Sequence, residues 1–320
     1  MQREFGMEIF LMALNTVVPI FIMMMAGYVL SKANIITDEM CVDLSKIYNM
    51  LLLPASLLVS AYSSNVRENV AVKLIVFGLV GVIFCVIVGR IMFPPKEGNK
   101  QQFAWNHAIY RGNIALVGLA VTERMYPDGD LSNMVLFIAI TVIMVSAISE
   151  VQISRYGGKP KSGMEIVKTL LKSPVMMASV LGLLLSVIGL RIPDMLLSSF
   201  STIGKAATPI GFIALGASLK LREARKYITK LSIFIVLKQI VFPLIMVAIG
   251  CGLLGFRGID TAFIIALLGC PPAVVTFAVA KANQDKVDSD LAGQLVAFST
   301  LMSVFTMMIL IIIVSKFGLL

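Results

Sequence analysis

Apolar stretches of about 20 residues, separated by short polar or charged breaks, recur along the whole chain. A helix needs about 20 residues to cross a bilayer, so each stretch is long enough to span. The pattern predicts ten spans, at about 9–31, 43–62, 70–93, 104–124, 133–154, 165–189, 195–219, 227–254, 259–281 and 288–316. The fourth and ninth are the least hydrophobic and carry polar residues or prolines in their middles. They are the weakest as continuous helices.

Composition agrees. Of 320 residues, 58% are hydrophobic and 14% charged, with a mean hydropathy of +0.93. A water-soluble domain has roughly 45–50% apolar and about 25% charged residues. Ten spans use roughly 200 residues, which leaves no room for a sizeable soluble domain. The apolar run from Ile9 to Leu30 is longer than a signal sequence's core and lacks a small-residue cleavage site, so it reads as a retained first span. Cys41, Cys85, Cys251 and Cys270 are far apart and without metal-ligand spacing, so they read as free thiols. With one histidine and no phosphate or dinucleotide fingerprint, neither a cofactor nor an enzyme is expected.

The net charge of +9 suggests nucleic acid only if its distribution is ignored. When loops are assigned alternately to two sides, one side, with both termini, holds seven basic residues and the other seventeen. Cytoplasmic loops carry the excess of Lys and Arg. The chain is therefore expected in the cell membrane with both termini outside and the central stretch Arg155–Gly163 in the cytoplasm. No nucleic-acid partner is implied.

The halves resemble each other. An offset of 155 pairs Pro19 with Pro174, Gly27 with Gly182, Pro54 with Pro209, Arg67 with Arg222 and Glu68 with Glu223. Further on, an offset of 160 pairs Asp128, Asp130 and Leu131 with Asp288, Asp290 and Leu291. Five spans per half is an odd number, so the second half is expected upside down relative to the first. The predicted organisation is a five-helix repeat over 1–154, a linker at 155–164 and an inverted repeat over 165–320. Inverted repeats are a transporter device, because two similar halves can exchange conformations around one site.

At the 160 offset, Arg111, Gly112 and Asn113 align with Pro271, Pro272 and Ala273, which follow Cys270. Consecutive prolines remove donors and disfavour the helix before them. Paired interruptions of this kind point to a substrate site. Half-helix N-termini carry partial positive charge, and Arg111 adds a full one, so the site suits an anion, most simply a carboxylate. Lys238, mid-span in the eighth helix, is a further substrate-binding candidate. Glu150 and His107 are candidates for coupling or gating. Tyr48, Asn49 and Thr208 lie beside prolines expected to kink their helices, where they can reach a substrate.

On these segments the chain resembles the auxin efflux carrier family, which includes plant PIN carriers and bacterial malate and malonate permeases, within the bile-acid/sodium symporter-like superfamily. The resemblance runs through VVPIFIMMMAGYVLSKANIIT, YNMLLLPASLL, RGNIALVGLAVTERMYPDGD and TPIGFIALGASLKL to LVAFSTLMSVFTM, essentially the whole chain. It implies an all-α integral membrane protein of ten helices with broken fourth and ninth helices that cross. It also implies a scaffold of helices 1, 2, 6 and 7, a transport unit of helices 3–5 and 8–10, and a homodimer. The chain departs from the plant pattern in having no proline at the fourth-helix break and no long central loop, which favours a bacterial-type organic-anion permease. The expected function is secondary transport of a small organic anion by elevator-type alternating access, with protons or sodium as coupling candidates. A membrane-embedded ligand sensor without transport is the alternative.

Overall fold

In the computed structural model, which describes residues 2–63, 71–94, 99–156, 163–219 and 227–320, the chain is helical throughout. Among the described residues the exceptions are short connections and one isolated antiparallel bridge, between Gly112 and Pro272. Helix α1 covers Gln2–Lys32. Helix α2 (Asp38–Ile47) starts at Thr37, whose hydroxyl accepts the Met40 N–H, and continues through a π turn at Tyr48–Leu52 into α3 (Leu53–Tyr62). Then come α4 (Val72–Met92), α5 (Gln101–Tyr110), a π turn at Ile114–Gly118 leading into α6 (Leu119–Met125), and α7 (Ser132–Tyr156).

The rest of the chain repeats this vocabulary. Helices α8 (Gly163–Lys172), α9 (Pro174–Ile188), α10 (Asp194–Lys205) and α11 (Ala207–Ala217) come first. Helix α12 (Ile228–Val236) passes through a π turn at Leu237–Val241 into α13 (Phe242–Leu253). Helices α14 (Ile259–Gly269), α15 (Val275–Ala282) and α16 (Ser289–Lys316) complete it. The matched Asp288 serves as the N-cap of α16, accepting the Leu291 N–H at 2.9 Å.

Two of the π turns have a common cause in sequence. Pro54 and Pro243 have no N–H to give to the carbonyls four residues earlier. The turn before each widens, so that Leu53 bonds to the Tyr48 carbonyl and Phe242 to the Leu237 carbonyl, five residues back. Such bulges tend to occur at functional sites.

Two expected spans are corrected. The stretch 165–189 is not one helix: α8 ends at Lys172, Ser173 is extended, and Pro174 opens α9 at its first turn, where a missing N–H costs nothing. Pro174 therefore starts a helix and does not kink one. The stretch 195–219 is likewise divided between Lys205 and Ala207. Among the described residues, five helical stretches are long and apolar enough to cross a membrane: Asp38–Tyr62, Val72–Met92, Asn133–Ser154, Ile228–Leu253 and Ser289–Lys316. The paired Arg67/Arg222 and Glu68/Glu223, and linker residues 157–162, lie outside the described residues.

Helix α1 lies along α11 and against α16, and α3 lies along α9 and α10. Elsewhere α4 packs on α5, α13 on α14, and α16 on α5, α14 and α15. The α1–α11 and α3–α9 pairs are held by close backbone approach. A Cβ on Gly27 would overlap the Ile213 carbonyl, and one on Gly182 would lie 2.5 Å from the Leu58 carbonyl. These contacts are related by the sequence repeat: the offset of 155 takes 27 to 182 and 58 to 213. In lipid, where no hydrophobic effect draws helices together, small residues that permit such approach supply the packing. Large apolar side chains such as Ile91, Met195 and Leu253 point outward, at 73%, 76% and 80% exposure, as a lipid-facing surface requires.

Gly216 tests this packing, since a Cβ there would strike the Met24 backbone, whereas one on Gly252 would meet nothing within 4 Å. Gly216→Val is expected to destabilise the protein by about 1–3 kcal/mol, read as a lower melting temperature in detergent. Gly252→Val is expected to leave it nearly unchanged.

Candidate functional site

Helix α5 stops at Tyr110 and helical structure resumes at Ile114; α14 stops at Gly269 and α15 begins at Val275. The two gaps meet. The Asn113 N–H donates to the Pro271 carbonyl at 2.7 Å, and the Ala273 N–H donates to the Arg111 carbonyl at 2.9 Å. The offset of 160 exchanges these two bonds, taking 113 to 273 and 111 to 271. Gly112, opposite Pro272, permits the approach, because a Cβ there would lie 2.6 Å from the Cys270 sulfur. Cys270 itself is fully buried, its thiol 3.5 Å from the Leu267 carbonyl.

Arg111 is 7% exposed, and its side chain has no hydrogen-bond or ion-pair partner among the described residues. It borders two cavities. The inner one, about 220 Å³, is lined on one side by Arg111, Gly112, Asn113 and Ala273. Its lining also includes Tyr48 from the π turn after α2, Ser56 from α3, and Thr208 and Phe212 from α11. Ile114 and Ala115, at the start of one half-helix, and Val274 and Val275, at the start of the other, also face this space. The second cavity, about 390 Å³, runs from Arg111 past Asn49, Ser146, Ser149 and Glu150 to Lys172 and Asn283.

Buried polar groups are nearly always hydrogen-bonded. Three around these cavities have no partner among the described residues: the Asn113 amide nitrogen and the Thr141 hydroxyl at the inner one, and the Ser146 hydroxyl at the other. They stand ready for a polar ligand. Thr141 and Ser146 were not singled out from sequence, although hydroxyls within an otherwise apolar span were the available signal.

The remaining candidates divide. His107 is fully buried one turn before Arg111, its Nδ1 2.9 Å from the Thr276 hydroxyl and its Nε2 3.1 Å from the Ser149 hydroxyl. Glu150 lines the second cavity with Arg111. Tyr48, Asn49 and Thr208 reach one cavity or the other. Lys238 does not join them. The π turn at Leu237–Val241 directs its ammonium to the carbonyls of Leu268 and Cys270, at the C-terminal end of α14. A cation there meets both unpaired carbonyls and the negative end of the helix dipole. Pro271 and Pro272 contribute backbone at the junction.

A family profile described as membrane transport protein matches residues 12–311. An uncharacterized transporter of Methanothermobacter thermautotrophicus is 22% identical over 309 residues, covering 93% of this chain and 97% of that protein. The uncharacterized transporter YfdV of Escherichia coli K12 is 27% identical over 253 residues, covering 74% of this chain and 78% of its own. Among solved structures, the sodium proton antiporter MjNhaP1 from Methanocaldococcus jannaschii superposes with a TM-score of 0.66 over 97% of this chain and 98% of that one. The identity there is 12%, so the likeness is one of fold.

The placement of Lys238 yields an expectation. Lys238→Ala strands the Leu268 and Cys270 carbonyls in the protein interior, at about 1–3 kcal/mol for the lost partner. It is expected to lower the melting temperature of the purified protein while leaving the ligand affinity of the folded fraction unchanged.

Proposed function

The chain belongs to the membrane transport protein family, the auxin-efflux-carrier type that its sequence resembles, and from that premise we propose that it is a secondary permease for a small organic anion. The observation that carries the proposal is the inner cavity. There a buried, unpaired guanidinium, an unpaired amide and the N-termini of two half-helices face one space. Burying a charge without a partner is costly, and an arriving carboxylate removes that cost by making a charge-assisted, two-pronged hydrogen bond with Arg111. Helix N-termini favour the same sign of charge. The volume of about 220 Å³ lies below the roughly 300–1,000 Å³ of pockets for drug-sized molecules, so the cargo is small. The MjNhaP1 antiporter moves cations by its name; the positive site here selects the opposite charge within a shared fold.

In this reading the chain has ten spans in two inverted halves, 1–154 and 165–320. The reciprocal bonds at the two interruptions and the reciprocal Gly27 and Gly182 contacts support that arrangement. Helices α1–α3 and α9–α11 are the scaffold; α4–α7 and α12–α16 are the transport unit. The inner cavity lies between them, as elevator-type movement requires. The substrate would ride on Arg111 and Asn113 past the wall that carries Tyr48 and Thr208. The excess of basic residues assigns the linker to the cytoplasm and the termini to the outside. The second cavity opens toward Lys172 on that basic side, which makes this the inward-facing state. His107 is the coupling group of the proposal. Both its neighbours are hydroxyls, which donate or accept, so the ring keeps its hydrogen bonds in either protonation state. A proton there adds a second buried cation one turn from Arg111, a cost that an anion bound at Arg111 would offset.

Uptake of labelled small mono- and dicarboxylates into proteoliposomes tests this. Removing a hydrogen bond to a charged group costs about 1.5–3 kcal/mol, so Arg111→Ala is expected to raise the half-saturating concentration roughly 10- to 150-fold. Arg111→Lys, which keeps the charge and loses the fork, is expected to fall between. Wild-type half-saturation in Arg111→Ala would refute the assignment. His107→Gln is expected to abolish stimulation by a proton gradient while sparing exchange of labelled for unlabelled substrate; stimulation that persists removes His107 from the coupling.

A further inference from the structure

A third cavity, about 400 Å³, lies away from Arg111, between the end of α4, the start of α5 and the α12–α13 helix. Its floor is aromatic. Phe93 stacks on Trp105 with centroids 5.0 Å apart, Trp105 meets Phe234 at 5.7 Å, and Phe242 closes the inner end. Trp105, Phe234 and Phe242 are buried, whereas Met92 and Ile233 on the rim are 40% and 55% exposed. Apolar residues exposed at a mouth in a membrane-spanning region mean that the mouth opens to hydrocarbon. At one end stand Lys230, Asn99 and Gln101. Lys230 is exposed and has no carboxylate partner among the described residues. It precedes Leu237, deep in the same cavity, by seven residues, or about 10 Å of helix.

We infer that this cavity is a binding site for an anionic phospholipid, with one acyl chain on the aromatic floor and the headgroup phosphate at Lys230. The charge order matches the molecule: the Lys230 cation at one end, with the Gln101 amide already held by the Tyr227 hydroxyl and the Asp288 carboxylate, then an apolar slot running inward. Lys230 follows the basic stretch 220–226, on the side where anionic lipid and polybasic segments attract each other. A second protein copy is the wrong shape, since 400 Å³ holds barely one turn of a helix about 10 Å across. A water-soluble anion can meet Lys230 but leaves the apolar slot unfilled. The buried cation at its inner end, Lys238, is already held by the Leu268 and Cys270 carbonyls. The lipid would bind the group of helices that also carries Arg111, and does so independently of what the carrier moves.

Trp105 is the protein's single tryptophan, which makes the slot its own reporter. The full-length protein is placed in phosphatidylcholine nanodiscs containing a small, varied fraction of lipid with brominated chains, which quench tryptophan on contact. Brominated phosphatidylglycerol is expected to quench Trp105 at lower mole fraction than brominated phosphatidylcholine. Lys230→Ala is expected to shift half-quenching about fivefold toward higher phosphatidylglycerol, and Lys230→Glu to erase the preference. Trp105→Phe supplies the background. Equal quenching by the two lipids in the wild type, no quenching by either, or a preference that survives Lys230→Glu would each overturn the inference.

Discussion

The structure turns on a backbone constraint. In hydrocarbon every N–H and C=O must find a partner within the protein, at several kcal/mol for each that does not. A helix can be interrupted there only where something replaces its lost bonds. Here each interruption repairs the other: Asn113 donates to Pro271, Ala273 donates to Arg111, and Gly112 leaves room for the two strands of chain to touch. Lys238 takes up carbonyls that remain at the end of α14. Neither break is tenable alone, so the two halves of the chain are committed to meeting.

The charge at the site follows from the same junction. Holding Arg111 beside a break fixes its position without a salt bridge, and the helix starts at Ile114 and Val275 turn toward the same cavity. The positive character of the site is thus built from backbone as much as from side chains. In a fold shared with the sodium proton antiporter MjNhaP1, a few side chains where the breaks meet set the sign of the charge. Gly211 keeps the neighbouring chain close, since a Cβ there would lie 3.0 Å from the Tyr48 ring and 3.3 Å from Val274.

Much of the site was legible because its residues are improbable in an apolar chain. A charge, a glycine and an amide in mid-span, and two prolines in register with them, announce where helix must fail. Lys238 carries the same kind of signal and yet stands elsewhere. An intramembrane lysine is conspicuous whether it meets a substrate or caps a helix, and its direction depended on a π turn whose trace in sequence was Pro243. Thr141 and Ser146 escaped notice for the opposite reason, since hydroxyls are common in membrane helices and bond to their own backbone as often as to a ligand. The sixth span was read as continuous because the apolar face of the amphipathic α8 runs into the apolar α9, although Ser173-Pro174 is an ordinary helix start.

Membrane residence, helical class and the places where backbone pairing must break belong to the chain itself. They are properties of local composition and period, which a bilayer enforces without help from distant residues. Which break meets which, what Arg111 and Lys238 face, and where an apolar slot opens beside Trp105 were decided only by tertiary packing. Those outcomes join residues far apart in the chain, 162 positions for Arg111 and Ala273, and depend on contacts between helices that no local pattern encodes.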